Sequence, residues 1–124
     1  AYETLEELEI THMAHNLTSE LSGGQSKLVD IGRALMGEPE LLLLDEPVAG
    51  VAGPLAEKIF NNLRNIVSET NISIFVIEHN MDFILRRGVD RIIVMDQGKV
   101  LMQGTPDEVK DSKEVIEAYL GGAA

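Results

Sequence analysis

The sequence contains no cysteine, which excludes disulfides and thiolate metal sites. It is poor in cations: 10 lysines and arginines stand against 21 aspartates and glutamates, for a formal net charge of −11. That balance argues against nucleic-acid binding, because neutralising phosphates takes clustered Lys and Arg. No apolar run approaches the roughly 20 residues needed to span a bilayer, and no signal peptide is visible. The chain opens on Ala1 rather than on Met, which suggests a piece excised or processed from something longer.

What is present suits a soluble globular protein. The 124 residues are 44% hydrophobic and 25% charged, enough for one domain with a modest core. The acids gather near the two ends, at Glu3, Glu6, Glu7 and Glu9 and again from Asp107 to Glu117, and read as solvated helix faces. There is no internal repeat and no low-complexity segment.

Periodicity divides the chain. Residues 2–10 read as a short helix with Leu5 and Leu8 on one face, followed by a polar connection in which His12 and His15 read as surface histidines. Ser22-Gly23-Gly24-Gln25 opens a second helix, with Ser22 as N-cap and Gln25 as its N3 partner. Leu28, Ile31 and Leu35 form its apolar stripe, and Gly37 and Pro39 end it. Leu41 to Leu44 is a strand without alternation, so both faces are expected to be buried, as in a covered parallel sheet. A helix from Pro54 to about Ser68 and a strand from Ile72 to Ile77 follow. Asn80 caps a short helix closed by Gly88. Arms at Ile92–Met95 and Val100–Gln103 form a hairpin around Asp96-Gln97-Gly98-Lys99. Thr105-Pro106-Asp107-Glu108 is a second capping box, leading to a last helix with Val115, Ile116, Tyr119 and Leu120 that Gly121-Gly122 ends. Alternating strand and helix in the middle implies an α/β fold with a parallel core and a right-handed crossover.

Chemistry concentrates where strands end. The leucine run stops in Asp45-Glu46-Pro47, and the second strand in Glu78-His79. Open α/β sheets bind ligands at such C-terminal edges. A carboxylate there suits a hard cation such as Mg²⁺, a second can act on a water, and a histidine can hydrogen-bond a phosphoryl group. The helix start at Ser22-Gly23-Gly24 adds a ready anion site. Its two glycines, costly in a helix by about 1 kcal/mol each, make sense if something must approach the backbone closely. One part is missing: there is no Gly-x-x-x-x-Gly-Lys-Ser/Thr loop to cradle phosphates.

These residues carry a family resemblance. Leu21-Ser22-Gly23-Gly24-Gln25 resembles the signature motif of ABC transporter ATP-binding subunits. Leu41 to Pro47 resembles their Walker B strand with its catalytic Glu-Pro, and His79 stands at their switch histidine. The resemblance covers essentially the whole chain. The tail, from Ile77-Glu78-His79-Asn80 to Ala118-Tyr119-Leu120-Gly121, is most like the branched-chain amino acid importers. The resemblance implies the C-terminal half of the nucleotide-binding domain. That is a partial P-loop-NTPase-like parallel sheet flanked by helices, then a β-hairpin and helix, with the N-terminal half absent. Residues 1–37 would end the helical subdomain and 38–124 run from Walker B to the C-terminus of this single partial domain.

The resemblance also implies roles. Ser22, Gly23, Gly24 and Gln25 would meet the γ-phosphate of an ATP held by the opposite subunit of a dimer. Asp45 would hold Mg²⁺ through water, Glu46 would act on the attacking water, and His79 would contact the γ-phosphate. Partners would be a second ATP-binding subunit, the same or different, and transmembrane permease subunits, placing the protein in the cytoplasm on the inner face of the cell membrane. The intact protein would be an ATPase driving transport, with amino acids as the implied cargo. Two departures stand out. The half with Walker A, the adenine-stacking aromatic and the Q-loop is missing, so the chain alone is expected to bind ATP weakly or not at all, to be inactive, and to self-associate over uncovered apolar surface. Ala52 occupies the place where the D-loop carries Asp or Asn. Two other readings remain open: a metal-dependent hydrolase using Asp45, Glu46, Glu78 and His79, and a non-catalytic assembly module.

Overall fold

The computed structural model describes residues 1–119; Leu120 and Gly121-Gly122, expected to finish the last helix, lie outside them. The chain falls into two compact units, Ala1–His79 and Asn80–Ala124.

In the first unit, α1 spans Tyr2–Glu7 and is followed by short 3₁₀ turns at Thr11–Met13 and Thr18–Glu20. The expected helix over 2–10 stops early because Glu9 takes a positive φ of 55°, which no continuing helix allows. The second helix, α2, runs Gly23–Leu35. Its stripe is as expected: Leu28 and Ile31 are buried and Leu35 packs at the margin. The residue that turns the chain afterwards is Glu38, with φ 49°, rather than Gly37. Next come β1 (Leu41–Asp45), α3 (Gly53–Glu69) and β2 (Ser73–Ile77). Strands β1 and β2 pair in parallel, with Leu41 opposite Ser73 and Asp45 opposite Ile77.

The core of this unit joins Leu8, Ile10, Leu28, Ile31, Leu42, Ile59, Leu63, Ile66 and Ile72. Buried in the same unit is one amide: Asn62 Nδ2 donates to the Leu8 carbonyl at 3.0 Å, tying α3 to the end of α1. The leucine strand departs from expectation. Leu42 is 6% exposed, but Leu41 and Leu43 are 55% and 67% exposed. Phe75 and Ile77, their companions on β2, are exposed too. Helices cover one face of this two-stranded sheet and leave the other bare, the arrangement expected of half a domain.

In the second unit, α4 (Met81–Leu85) is capped by Asn80, whose side chain accepts from the Phe83 N–H at 3.0 Å. Strands β3 (Ile92–Asp96) and β4 (Lys99–Gly104) are antiparallel, with a register shift at Val94/Met95. Their turn places Gln97 and Gly98 at φ 47° and 78°, the pair of positive values that primed hairpin turns require. The single expected last helix is two: α5 (Pro106–Lys110) and α6 (Lys113–Tyr119). Ile92, Val94, Val109 and Val115 form this unit's core.

Candidate functional site

The start of α2 is built as a cap. Ser22 Oγ accepts from the Gln25 N–H at 3.3 Å, and Gln25 Oε1 accepts from the Ser22 N–H at 2.9 Å. The helix has no acidic residue in its first turn. The N–H groups of Gly23 and Gly24 find no partner among the described residues, so two donors and the positive end of the helix dipole stay free for an anion.

The two glycines turn out to serve different ends. A Cβ on Gly23 would meet nothing within 4 Å, leaving its backbone open to an incoming group. A Cβ on Gly24 would overlap Leu55 Cδ2 and crowd Val51 Cγ1 at 3.2 Å. On its Cβ side the close approach is made by the protein's own side chains.

The strand ends supply the acids. The ladder continues one step past β1, where the Glu46 N–H donates to the Ile77 carbonyl at 2.9 Å. Glu46 then takes φ 45°, a left-handed backbone rare for a residue with a side chain. This turn brings its carboxylate to His79: Glu46 Oε1 lies 3.0 Å from His79 Nδ1, with both side chains open to solvent. The Glu46 carbonyl accepts twice, from the Ala49 N–H at 3.1 Å and from Lys27 Nζ at 3.0 Å. Glu78 turns to the following loop, where its Oε1 accepts weakly from the Val48 N–H at 3.4 Å. Asp45 stands exposed at the end of β1.

Of the four acid and histidine groups expected to converge, the structure brings together Glu46 and His79. Among the described residues no three side chains of His, Asp or Glu are grouped closely enough to hold a metal ion by themselves. Asp45 offers a single exposed carboxylate, so a Mg²⁺ ion there would have to take its other ligands from water and phosphate. His12 and His15 are exposed, as expected. The Lys27 and Glu78 contacts were not anticipated; they join residues 19 and 30 positions apart, and no local pattern announces them.

The loop at 46–53 ends in Ala52, the N-cap of α3, which provides no side-chain hydrogen bond. The helix begins at Gly53, one residue before the expected Pro54.

Comparison with known proteins points to one family. Residues 1–49 match the family described as ABC transporter, and residues 99–124 match the family described as branched-chain amino acid ATP-binding cassette transporter. The probable branched-chain amino acid transport ATP-binding protein LivG of Methanocaldococcus jannaschii is 40% identical over 98% of this chain and 48% of its own length. The high-affinity branched-chain amino acid transport ATP-binding protein BraF of Pseudomonas aeruginosa is 36% identical over 96% of this chain and 46% of its own. Among solved structures, the ADP conformation of MJ1267, an ATP-binding cassette of an ABC transporter, superposes with a TM-score of 0.84 at 39% identity, covering 97% of this chain and 48% of that one. The chain spans about half the length of the relatives it matches.

Proposed function

The chain belongs to the ABC transporter ATP-binding family, of the branched-chain amino acid importer kind, and we propose that it is the C-terminal half of the nucleotide-binding domain, supplying the signature face and the water-activating acid of an ATPase that drives amino-acid import. The observation that carries this reading is the Glu46–His79 contact at the C-terminal ends of two parallel strands.

In this reading Ser22 and the free N–H groups of Gly23 and Gly24 receive the γ-phosphate of an ATP bound mainly by an opposing subunit, and Gln25 holds the cap in shape. Developing negative charge on the phosphoryl oxygens is met by fixed dipoles that need no rearrangement. Asp45 would hold a Mg²⁺ ion, which would supply charge neutralisation for the phosphates. Glu46 takes the proton of the attacking water. His79, hydrogen-bonded to Glu46, keeps that carboxylate oriented and has its second ring nitrogen available for the γ-phosphate. Residues 1–37 complete a helical subdomain and 38–124 the rest of the partial domain.

The partners are a second ATP-binding subunit and transmembrane permease subunits at the inner face of the membrane. Among the described residues, no helix is long and apolar enough to cross a membrane. The chain by itself lacks a phosphate-cradling loop, so it behaves as an assembly module: nucleotide binds weakly or not at all, and the bare face of Leu41, Leu43, Phe75 and Ile77 drives self-association. Calorimetry with Mg-ATP tests this. The 124 residues give no detectable heat of binding, and the protein carrying the missing half hydrolyses ATP and loses about 10²–10⁴-fold of its rate on Glu46→Gln, the range for a removed general base. Micromolar binding by the 124-residue chain overturns the assembly-module reading, and full activity in Glu46→Gln removes Glu46 from the chemistry.

A further inference from the structure

We infer that Lys27 is a positioning residue for Glu46, holding the turn that aims its carboxylate at His79; this deepens the reading above and rests on it for its consequence in catalysis. The backbone of Glu46 is the unusual point of the site. Its φ of 45° lies in a region that a side chain makes unfavourable, and such a conformation persists only where surroundings over-determine it. Three hydrogen bonds do so. The N–H is held by the Ile77 carbonyl, and the carbonyl is held by the Ala49 N–H and by Lys27 Nζ. The first two belong to the sheet and to the turn itself. The third is the only one that comes from a distant helix, and it is charge-assisted, hence stronger than its neutral counterparts.

Lys27 has no competing use. It forms no ion pair among the described residues and is partly buried, so its ammonium is committed to this one carbonyl. It also stands one turn after the free N–H groups of Gly23 and Gly24 on the same helix. The element that offers donors to an anion therefore also grips the peptide that sets the direction of Glu46. A change in the position of α2 reaches the Glu46–His79 pair through this 3.0 Å contact.

The test separates aiming from mere stapling. In the 124-residue chain, Lys27→Met shifts the His79 Nδ1 resonance and the Glu46 amide signal, Lys27→Arg returns both toward their original positions, and Arg33→Met, an exposed change on the same helix, moves neither. Should Lys27→Met fail to fold, Lys27→Gln is read the same way. In the protein carrying the missing half, Lys27→Met lowers kcat by about tenfold to a hundredfold with KM for ATP unchanged, as misplacement of a reacting group does. An unmoved His79 signal in folded Lys27→Met overturns the inference, whatever the change in melting temperature. If the His79 signal moves while the longer protein hydrolyses no ATP, the positioning stands and the proposed function falls.

Discussion

Two helices in this molecule open with the same device and put it to opposite uses. At α2, Ser22 and Gln25 close a reciprocal pair of hydrogen bonds with no charge in the first turn. At α5, Thr105 and Glu108 close the same pair: the Thr105 N–H donates to Glu108 Oε2 at 2.8 Å, and Thr105 Oγ1 accepts from the Glu108 N–H at 3.4 Å. There the first turn is filled. Pro106 has no N–H to leave free, and Asp107 and Glu108 answer the helix dipole. Glu108 even shapes the strand before it, since a Cβ on Gly104 would come within 2.7 Å of Glu108 Oε2. A cap completed by its own carboxylates is a structural stop. A cap left neutral, with two glycine N–H groups unused, leaves donors for the anion proposed above.

The sharpest way to break this contrast is Gln25→Glu, which gives the first cap the charge of the second. A carboxylate there repels the phosphate the site is proposed to receive. ATP hydrolysis by the protein carrying the missing half falls about 10²-fold, the loss typical of one disabled oxyanion donor. The folded chain itself gains about 0.5 kcal/mol from the helix dipole. Opposite signs in rate and in urea unfolding are the expected signature; a parallel fall in both would mean that the cap is structural only.

Next in size are the glycines. Gly24→Ala pushes Leu55 out of place and destabilises the chain by about 1–3 kcal/mol. Gly23→Ala meets only open space and stabilises by about 0.4–1 kcal/mol through the unfolded state. Chemical denaturation of the two variants side by side measures the gap; equal effects would remove the distinction between a packing glycine and an open one.

A third helix sharpens the comparison from the other side. The N-cap of α3 is Ala52, with no side-chain acceptor. Ala52→Asp restores one and raises stability by about 1 kcal/mol, read as a higher denaturation midpoint at unchanged slope.

The smallest effect is in pH. Hydrogen bonds from Thr105, backbone first and then hydroxyl, hold the Glu108 carboxyl below its ordinary value, with Arg91 adding a little against a minor desolvation. A lowered carboxylate contributes stability that is present above its unfolded-state value and is lost as pH falls through its folded value. Glu108→Gln keeps a capping partner and removes that titration. Acid unfolding of the variant is then less steep in this window; an unchanged profile would mean that the charge on Glu108 is immaterial to the cap.

Much of this architecture is legible in the residues alone. Both capping boxes, the apolar stripe of α2, the parallel strand pair and the hairpin turn at Gln97-Gly98 follow from patterns a few residues long, because the interactions behind them are local. Glu46 and His79 are readable as strand-end groups for the same reason. Other features give no such signal. The leucine run cannot tell a strand buried on both faces from one bare on one, since leucine occupies every position of it. Which face is covered depends on where α3 falls. The split of the last helix into α5 and α6, by contrast, has one local mark that the reading of a single helix passed over: Ser112 Oγ accepts from the Val115 N–H at 3.5 Å and caps α6.

The sequence by itself determined the elements, their order, the caps and the residues that stand at the strand ends, each through contacts between near neighbours in the chain. Only the tertiary structure decided what those residues meet. Gly24 is glycine for the sake of Leu55, 31 positions away, and Glu46 is turned toward His79 by a backbone held in part by Lys27. Such pairings are fixed by how helices pack on a sheet, and packing is set by the summed shapes of side chains far apart in the chain.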